Sequence, residues 1–148
     1  MSALHLAAWF DKSGSGVRAL VEAGAEINAL ADERSSPLHF SAAWNLAAVP
    51  VLLAANAEVN LLNNINRSPL FYAAFDNQPK CVVYLCKAGA DPHLGESPLT
   101  SSRVKTEMRD LIESLSNWID VWKFIWKEHQ YHLCVVAIEL VFIICISS

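Results

Sequence analysis

The chain has 148 residues, of which 53% are hydrophobic and 18% are charged, and its mean hydropathy is +0.27. A chain this apolar is not intrinsically disordered, and its length suits one ordinary domain. A net charge of −4 at neutral pH leaves no basic stripe for a nucleic-acid backbone, so we exclude nucleic acid as a partner.

The cysteines indicate a reducing environment. Four of them occur, at positions 81, 86, 134 and 145, and no two form a CxxC pair. Disulfide frameworks and zinc sites need tighter organisation than this, and no basic leader opens the chain. We therefore expect reduced cysteines that pack as small hydrophobic side chains in a cytoplasmic protein, with neither a metal nor another cofactor.

The chain repeats itself. Four similar phrases are SALHLAAWF (2–10), SPLHFSAAW (36–44), SPLFYAAF (68–75) and SPLTSSRV (97–104). A second phrase follows the first three, as AGAEIN (23–28), ANAEVN (55–60) and AGADPH (88–93). Two coupled phrases with a period near 33 residues predict units that stack on copies of themselves, because one such unit cannot bury its own hydrophobic face.

Each unit predicts two short helices. Ser36 and Ser68 are suited to cap the first helix, and the proline after each fits the first helical position, where no amide donor is needed. Breaks are predicted at Asn45 and Asn77, because asparagine tolerates left-handed backbone. The second helix is marked by large aliphatic residues: Val17, Leu20 and Val21; Val51, Leu52 and Leu53; Val82, Val83 and Leu85.

These phrases resemble the ankyrin repeat, with its TPLH start, its pair of alanines and its GADVN end. The resemblance implies an all-α fold, an ankyrin-repeat α-solenoid whose helix-turn-helix units are joined by short hairpin loops. We assign residues 1–115 to it, as repeats 2–34, 35–66 and 67–96 and a degenerate cap at 97–115. The cap is polar, as the end of a solenoid in water needs to be.

The resemblance implies a binding scaffold without chemistry of its own. His5 and His39 fall in the repeated phrase, where histidine is a structural member of the turn-to-helix hydrogen-bond network. The sequence contains no phosphate loop, no HExxH and no GxSxG, so we expect that it is not an enzyme. We expect monomeric repeats whose partner is another protein.

Ankyrin repeats bind partners through variable positions on the inner helices and at the hairpin tips. The inner-helix positions here are Trp9, Phe10, Trp44, Phe75 and Asp76, and the hairpin-tip candidates are Asp32, Glu33, Asn63 and Asn64. Large aromatic side chains are favoured interface anchors because they bury much area with few rotatable bonds. An alternative role is packing, with Trp9 covering the edge of the first repeat and Trp44 filling a gap in the second.

The resemblance also implies a covalent modification. Asn28 and Asn60 occupy the position that iron- and 2-oxoglutarate-dependent asparaginyl hydroxylases modify in many ankyrin repeats, with Leu20 and Leu52 eight residues upstream. We therefore expect this protein to be a hydroxylase substrate. The structural alternative is that the two asparagines close the turn after the second helix.

Residues 116–148 differ in character from the repeats. Trp118, Trp122 and Trp126 recur every four residues, which places them on one face of a predicted amphipathic helix. An apolar tail follows, and membrane association through residues 131–148 is one interpretation. A helix over residues 133–146 spans roughly 21 Å, short of the roughly 30 Å hydrocarbon core. The chain is then a tail-anchored adaptor or part of an ankyrin-bearing channel.

Three other interpretations of the tail stay open. It packs over the last repeat or against a partner, or it is an end without a selected function. It also resembles the elongin-binding start of a SOCS box at Leu133, Cys134 and Ile138, which implies an ankyrin-type substrate receptor of a ubiquitin ligase.

Overall fold

The structure is a computed structural model that describes the backbone of residues 1–128 and the side chains of residues 1–120. The described part of the chain contains helices and no strand. The helices are α1 (Ala3–Phe10), α2 (Ser15–Glu22), α3 (Pro37–Trp44), α4 (Ala48–Ala54), α5 (Pro69–Phe75), α6 (Pro79–Lys87) and α7 (Thr106–Glu128). A first compact unit, Met1–Ser116, holds α1 to α6 and the start of α7, and the second begins at Asn117.

The first six helices form three stacked pairs. The inner helices α1, α3 and α5 pack side by side, the outer helices α2, α4 and α6 do the same, and each inner helix contacts the outer helix of its own pair. Pairs of alanines at the centre of the inner layer, such as Ala42 with Ala43 and Ala73 with Ala74, are fully buried and let the helices approach closely. The predicted all-α solenoid is therefore confirmed.

Two buried histidines connect each repeat to the next. The Nδ1 atom of His39 accepts a hydrogen bond from the backbone N–H of Ser36 at 3.0 Å, so the neutral ring carries its proton on Nε2. That Nε2–H donates to the carbonyl oxygen of Arg67 at 3.1 Å. His5 makes the equivalent bonds to Ser2 at 3.1 Å and Ser35 at 3.0 Å. Each ring therefore caps its own helix and fixes the start of the following repeat.

The backbone of Asn45 does not have the predicted left-handed conformation. Its φ is −140°, not left-handed, whereas Asn77 has the predicted positive φ of 56°. The buried side chain of Asn45 instead donates from Nδ2 to the carbonyl oxygens of Asp11 at 2.7 Å and Ala7 at 3.4 Å. It therefore closes the C-terminal end of α1 from the neighbouring repeat. Asparagine follows the first helix in both repeats, as predicted. The backbone conformation at that residue is decided by contacts between repeats.

The chain after the third repeat lies close to the second hairpin. The backbone N–H of Glu96 donates to the carbonyl oxygen of Asn66 at 2.6 Å, and a Cβ on Gly95 would overlap that same oxygen. Gly95 has a φ of +67°, which favours glycine for a second reason. Beyond this loop, Val104, Met108 and Ile112 are buried in the first unit.

No helix in the part of the chain that the structure describes combines the length and the hydrophobicity needed to cross a membrane. The membrane interpretation of residues 131–148 and the resemblance at Leu133, Cys134 and Ile138 fall outside the described residues.

Candidate functional site

Four aromatic side chains of α1 and α3 form what we term the aromatic cluster: Trp9, Phe10, Phe40 and Trp44. The ring of Trp9 stacks on Phe10 with 4.8 Å between centroids and on Trp44 with 5.3 Å, and its centroid lies 5.7 Å from that of Phe40. Offset ring pairs at these distances are favourable beyond the area that they bury. The two repeats are thus joined by ring contacts as well as by the buried alanines.

The rings of the aromatic cluster differ in their exposure to solvent. Trp9 is half-buried between the other rings, as a packing residue is, whereas Phe10 is 64% and Trp44 44% exposed. Large apolar side chains that stay exposed next to each other are typical of an interaction surface. Packed and solvent-exposed aromatic rings therefore coexist in one cluster.

The third repeat adds an aromatic residue and a carboxylate to the inner layer. Phe75 is 43% exposed and stacks on the buried Phe71 of its own helix at 6.0 Å. Asp76, the residue after α5, is half-buried, and its desolvation raises the pKa of the carboxyl group. Predicted inner-helix residues therefore reach solvent in all three repeats.

The tip of the first hairpin is held in place by the second. The backbone N–H of Asn64 donates to the carbonyl oxygen of Glu33 at 3.0 Å, and the turn closes with the N–H of Arg34 donating to Ala31 at 2.8 Å. Arg34 takes a φ of 57° to make this turn. The side chains of Asp32, Glu33 and Asn64 are exposed.

Asn63 differs from the other hairpin-tip candidates, because its side chain is only 5% exposed. Its Nδ2 donates to Tyr72 Oη at 3.0 Å and to Ser35 Oγ at 3.3 Å. Its Oδ1 accepts from the backbone N–H of Ile65 at 3.2 Å and of Arg67 at 3.0 Å. The amide is therefore used inside the protein, and we correct its assignment from a partner contact to a structural residue.

A pocket of about 80 Å³ opens between the first hairpin tip and the helices α3 and α5. It is lined by Glu33, Ser35, His39, Phe40, Trp44 and Tyr72. Phe40 and Tyr72 are not among the site residues that the sequence predicts. Their signal is register, since each follows the aligned leucine of its repeat by two positions.

The acidic residue that lines this pocket is Glu33. Burial lowers the pKa of His39 to about 4, so its ring is neutral at pH 7. Arg67 donates from Nε to Glu96 Oε2 at 2.6 Å, and this bond raises the pKa of the guanidinium while lowering that of the carboxyl group. Glu33 makes no ion pair within the described residues.

The two candidate hydroxylation sites connect repeats. Asn28 Oδ1 accepts from the backbone N–H of Glu58 at 2.9 Å. Asn60 Oδ1 accepts from Asp91 N–H at 2.8 Å, and its Nδ2 donates to the carbonyl oxygen of Gly89 at 3.1 Å. Both asparagine side chains therefore bind the following repeat, and hydroxylation stays a prediction.

The described residues contain neither a reactive thiol nor a metal-binding cluster. Cys81 and Cys86 are free and buried, and burial raises the pKa of each thiol to about 11, far from a reactive thiolate. No group of three or more metal-ligating side chains comes together among residues 1–120.

Stacked helix-turn-helix units with exposed inner-helix side chains define a repeat scaffold of the class that binds other proteins. The family model of ankyrin repeats in three copies matches residues 4–95, and the chain belongs to the ankyrin repeat family. Among solved structures, the chain is similar to the crystal structure of the human ASB11 ankyrin repeat domain, with 29% sequence identity and a TM-score of 0.69. That similarity covers 78% of this chain and 53% of the other, so the chain spans about half the length of that domain. No curated protein matches the sequence.

Proposed function

We propose that this protein is an adaptor that binds another protein through the aromatic cluster, Phe75 and the hairpin tips. Membership of the ankyrin family supports an interaction module, and the observation that carries the choice of surface is exposure. Phe10, Trp44 and Phe75 are between 43% and 64% exposed, although each is large and apolar. Covering them is favourable by about 25 cal/mol per Å² of apolar surface, so a partner that does so gains affinity.

The distribution of exposed apolar residues favours this face. Phe10, Trp44 and Phe75 lie on inner helices, and Leu30 and Ile65 lie at the hairpins. The groove between the outer helices α2 and α4 is instead lined by aliphatic and charged residues: Arg18, Val21, Glu22, Ala47, Pro50, Val51, Ala54 and Ala55. Aromatic anchors are thus concentrated on the inner side of the first three repeats.

Site-specific photo-crosslinking of the full chain tests this proposal with a matched pair of positions. Phe75 on α5 and Tyr84 on α6 are both aromatic, both 43% exposed and in the same repeat. We expect p-benzoylphenylalanine to form a discrete adduct with a protein when it replaces Phe75 or Trp44, and none when it replaces Tyr84. Equal adducts from Tyr84, or no adduct from either inner position, would contradict the proposed surface.

The partner identified in this way allows a quantitative check. Replacing an aromatic anchor at the centre of an interface costs about 2 kcal/mol or more, which is roughly 30-fold in Kd. We expect that loss by calorimetry for Trp44→Ala and Phe10→Ser. Tyr84→Ser serves as the control and is expected to bind as the unaltered protein does.

We also propose a cytoplasmic location. The support is that Cys81 and Cys86 are free and buried, as expected of a protein that never meets an oxidising compartment. Cell fractionation of the full chain, with and without carbonate extraction of membranes, tests it.

A further inference from the structure

We infer that the pocket between the first hairpin tip and the helices α3 and α5 binds a cationic side chain, arginine or lysine, of the partner protein. The inference rests on the proposed function, because the cation is supplied by the protein that covers the aromatic cluster. It goes further in naming the chemistry that the partner must present.

The walls of the pocket suit a cation. Phe40, Trp44 and Tyr72 line it together, and the face of an aromatic ring attracts an ammonium or guanidinium group within about 6 Å of its centroid. The volume of about 80 Å³ exceeds the roughly 10–15 Å³ that one water molecule requires, so several heavy atoms enter.

Glu33 supplies the charge that selects a cation over a neutral side chain. Glu33 lines the same pocket, and a neutral occupant that covered its carboxylate would take that charge out of water without compensation. The net charge of −4 on the whole chain also favours a basic partner.

The neighbouring cations have partners of their own. Lys12, which does not line the pocket, donates from Nζ to the backbone carbonyl oxygen of Trp44 at 2.8 Å. His39 in the wall is buried, and its Nε2–H donates to the backbone carbonyl oxygen of Arg67. The guanidinium of Arg67 is bonded to the carboxylate of Glu96.

The pocket is built before any partner arrives. The backbone of Glu33 is held by Asn64, and Tyr72 Oη accepts a hydrogen bond from Asn63 Nδ2 at 3.0 Å. Trp44 is held by its stack on Trp9. Side chains fixed in this way lose little conformational freedom on binding, which is what makes a small site effective.

The protein already contains the arrangement that we infer. The guanidinium carbon of Arg67 lies 4.6 Å from the centroid of the Phe71 ring, and the same guanidinium binds the carboxylate of Glu96. Aromatic face, carboxylate and guanidinium thus occur together within one repeat. Aromatic residues and Glu33 line the pocket, and neither arginine nor lysine does.

The test uses small probes and the full chain. N-acetyl-arginine amide, N-acetyl-lysine amide and its trimethylated form are titrated while the indole N–H signal of Trp44, assigned with Trp44→Phe, is followed by NMR. N-acetyl-citrulline amide and N-acetyl-norleucine amide are the neutral isosteres. We expect a saturable shift with the cations and none with the isosteres, and the strongest cation identifies whether arginine, lysine or methylated lysine is preferred.

Two adjacent carboxylates give matched variants. Asp32 and Glu33 are both exposed, and only Glu33 lines the pocket, so neither change disturbs the core. We expect Glu33→Gln to weaken cation binding at least 5-fold and Asp32→Asn to leave it within 2-fold. Equal shifts from norleucine and lysine derivatives, equal binding in the two variants, or no saturable shift would each overturn the inference.

The result separates this inference from the proposed function. If crosslinks form at Phe75 while the cations leave Trp44 unshifted, the pocket is wrongly assigned and the interaction surface stands. If the cations bind while no adduct forms at Phe75 or Trp44, the pocket binds cations but the proposed function, and the partner as their source, is contradicted.

Discussion

His39 shows how one side chain performs several tasks at the residue scale. Its ring accepts from Ser36, donates to Arg67 and lines the pocket, and it is 2% exposed. Burial lowers its pKa from 6.5 to about 4, since the charged form is poorly solvated there. The pKa of His5 is lowered by burial as well. Both rings must be neutral for the repeats to be bonded as they are.

This pKa predicts a loss of stability in mild acid. The unfolded chain, with an ordinary histidine, binds a proton below pH 6.5, whereas folded His39 does so only near pH 4. The stability that neutral His39 contributes is therefore complete above pH 6.5 and falls as the pH is lowered towards 4. At pH 5.5 we expect a loss of roughly 1 kcal/mol by urea unfolding.

A variant assigns that loss to its residue. His39→Gln is expected to be less stable at pH 7 and to lose less stability than the unaltered protein between pH 7 and 5.5. His93→Gln, at an exposed position, is the control and should keep the full pH dependence. If His39→Gln and the unaltered protein respond to pH identically, the titrating group is not His39.

At the scale of the element, helix ends are completed by neighbouring repeats. The last turn of α1 receives two hydrogen bonds from Asn45, which follows α3. The carbonyl oxygens of Ala7 and Asp11 each also accept a backbone N–H, from Asp11 and Gly14 respectively, so the side chain from the next repeat supplies a second donor to the second lone pair of each. Contacts of this kind join the repeats through the ends of the helices as well as through their faces.

Removing that side chain should loosen the first two repeats. We expect Asn45→Ala to lower the free energy of unfolding by about 1–3 kcal/mol, because it removes two hydrogen bonds that a buried amide makes to the first repeat. Asn64→Ala removes an exposed amide and should change stability by less than about 0.5 kcal/mol. Urea unfolding of the two variants gives the comparison, and equal effects would show that the Asn45 side chain does not stabilise α1.

At the scale of the whole molecule, the first unit ends with a segment that is polar outside and apolar inside. Ile112 on α7 is fully buried within this unit, and Val104 and Met108 are 2% and 5% exposed. Stability in a repeat array is roughly the sum of the units and their interfaces, so an end that buries apolar area stabilises what precedes it. The degenerate fourth repeat therefore buries apolar side chains against the array in addition to giving it a polar end.

Ile112 offers the test of that role. We expect Ile112→Ala to cost about 2–5 kcal/mol, because a fully buried aliphatic side chain leaves a cavity. Leu111→Ala, on the same helix but only half-buried, should cost less. Thermal unfolding followed by circular dichroism measures both, and a larger loss for Leu111→Ala would mean that α7 is not packed as described.

The sequence by itself determined the repeat and its local rules. Recurring phrases, serine caps such as Ser36 and Ser68, and the alanine pairs act between near neighbours, so their consequences can be read along the chain. The same reasoning identified Trp9, Phe10, Trp44 and Phe75 as inner-helix residues, because repeat register alone places them.

Only the tertiary structure decided what happens between repeats. Asn63 and Asn64 look alike in sequence, yet the first is buried in a hydrogen-bond network and the second ties down Glu33 by its backbone. The pocket unites residues from both sides of that contact, among them Phe40 and Tyr72. Hydrogen bonding and burial of this kind depend on which residues of different repeats come into contact. The local conformational preferences of asparagine and tyrosine do not determine those contacts.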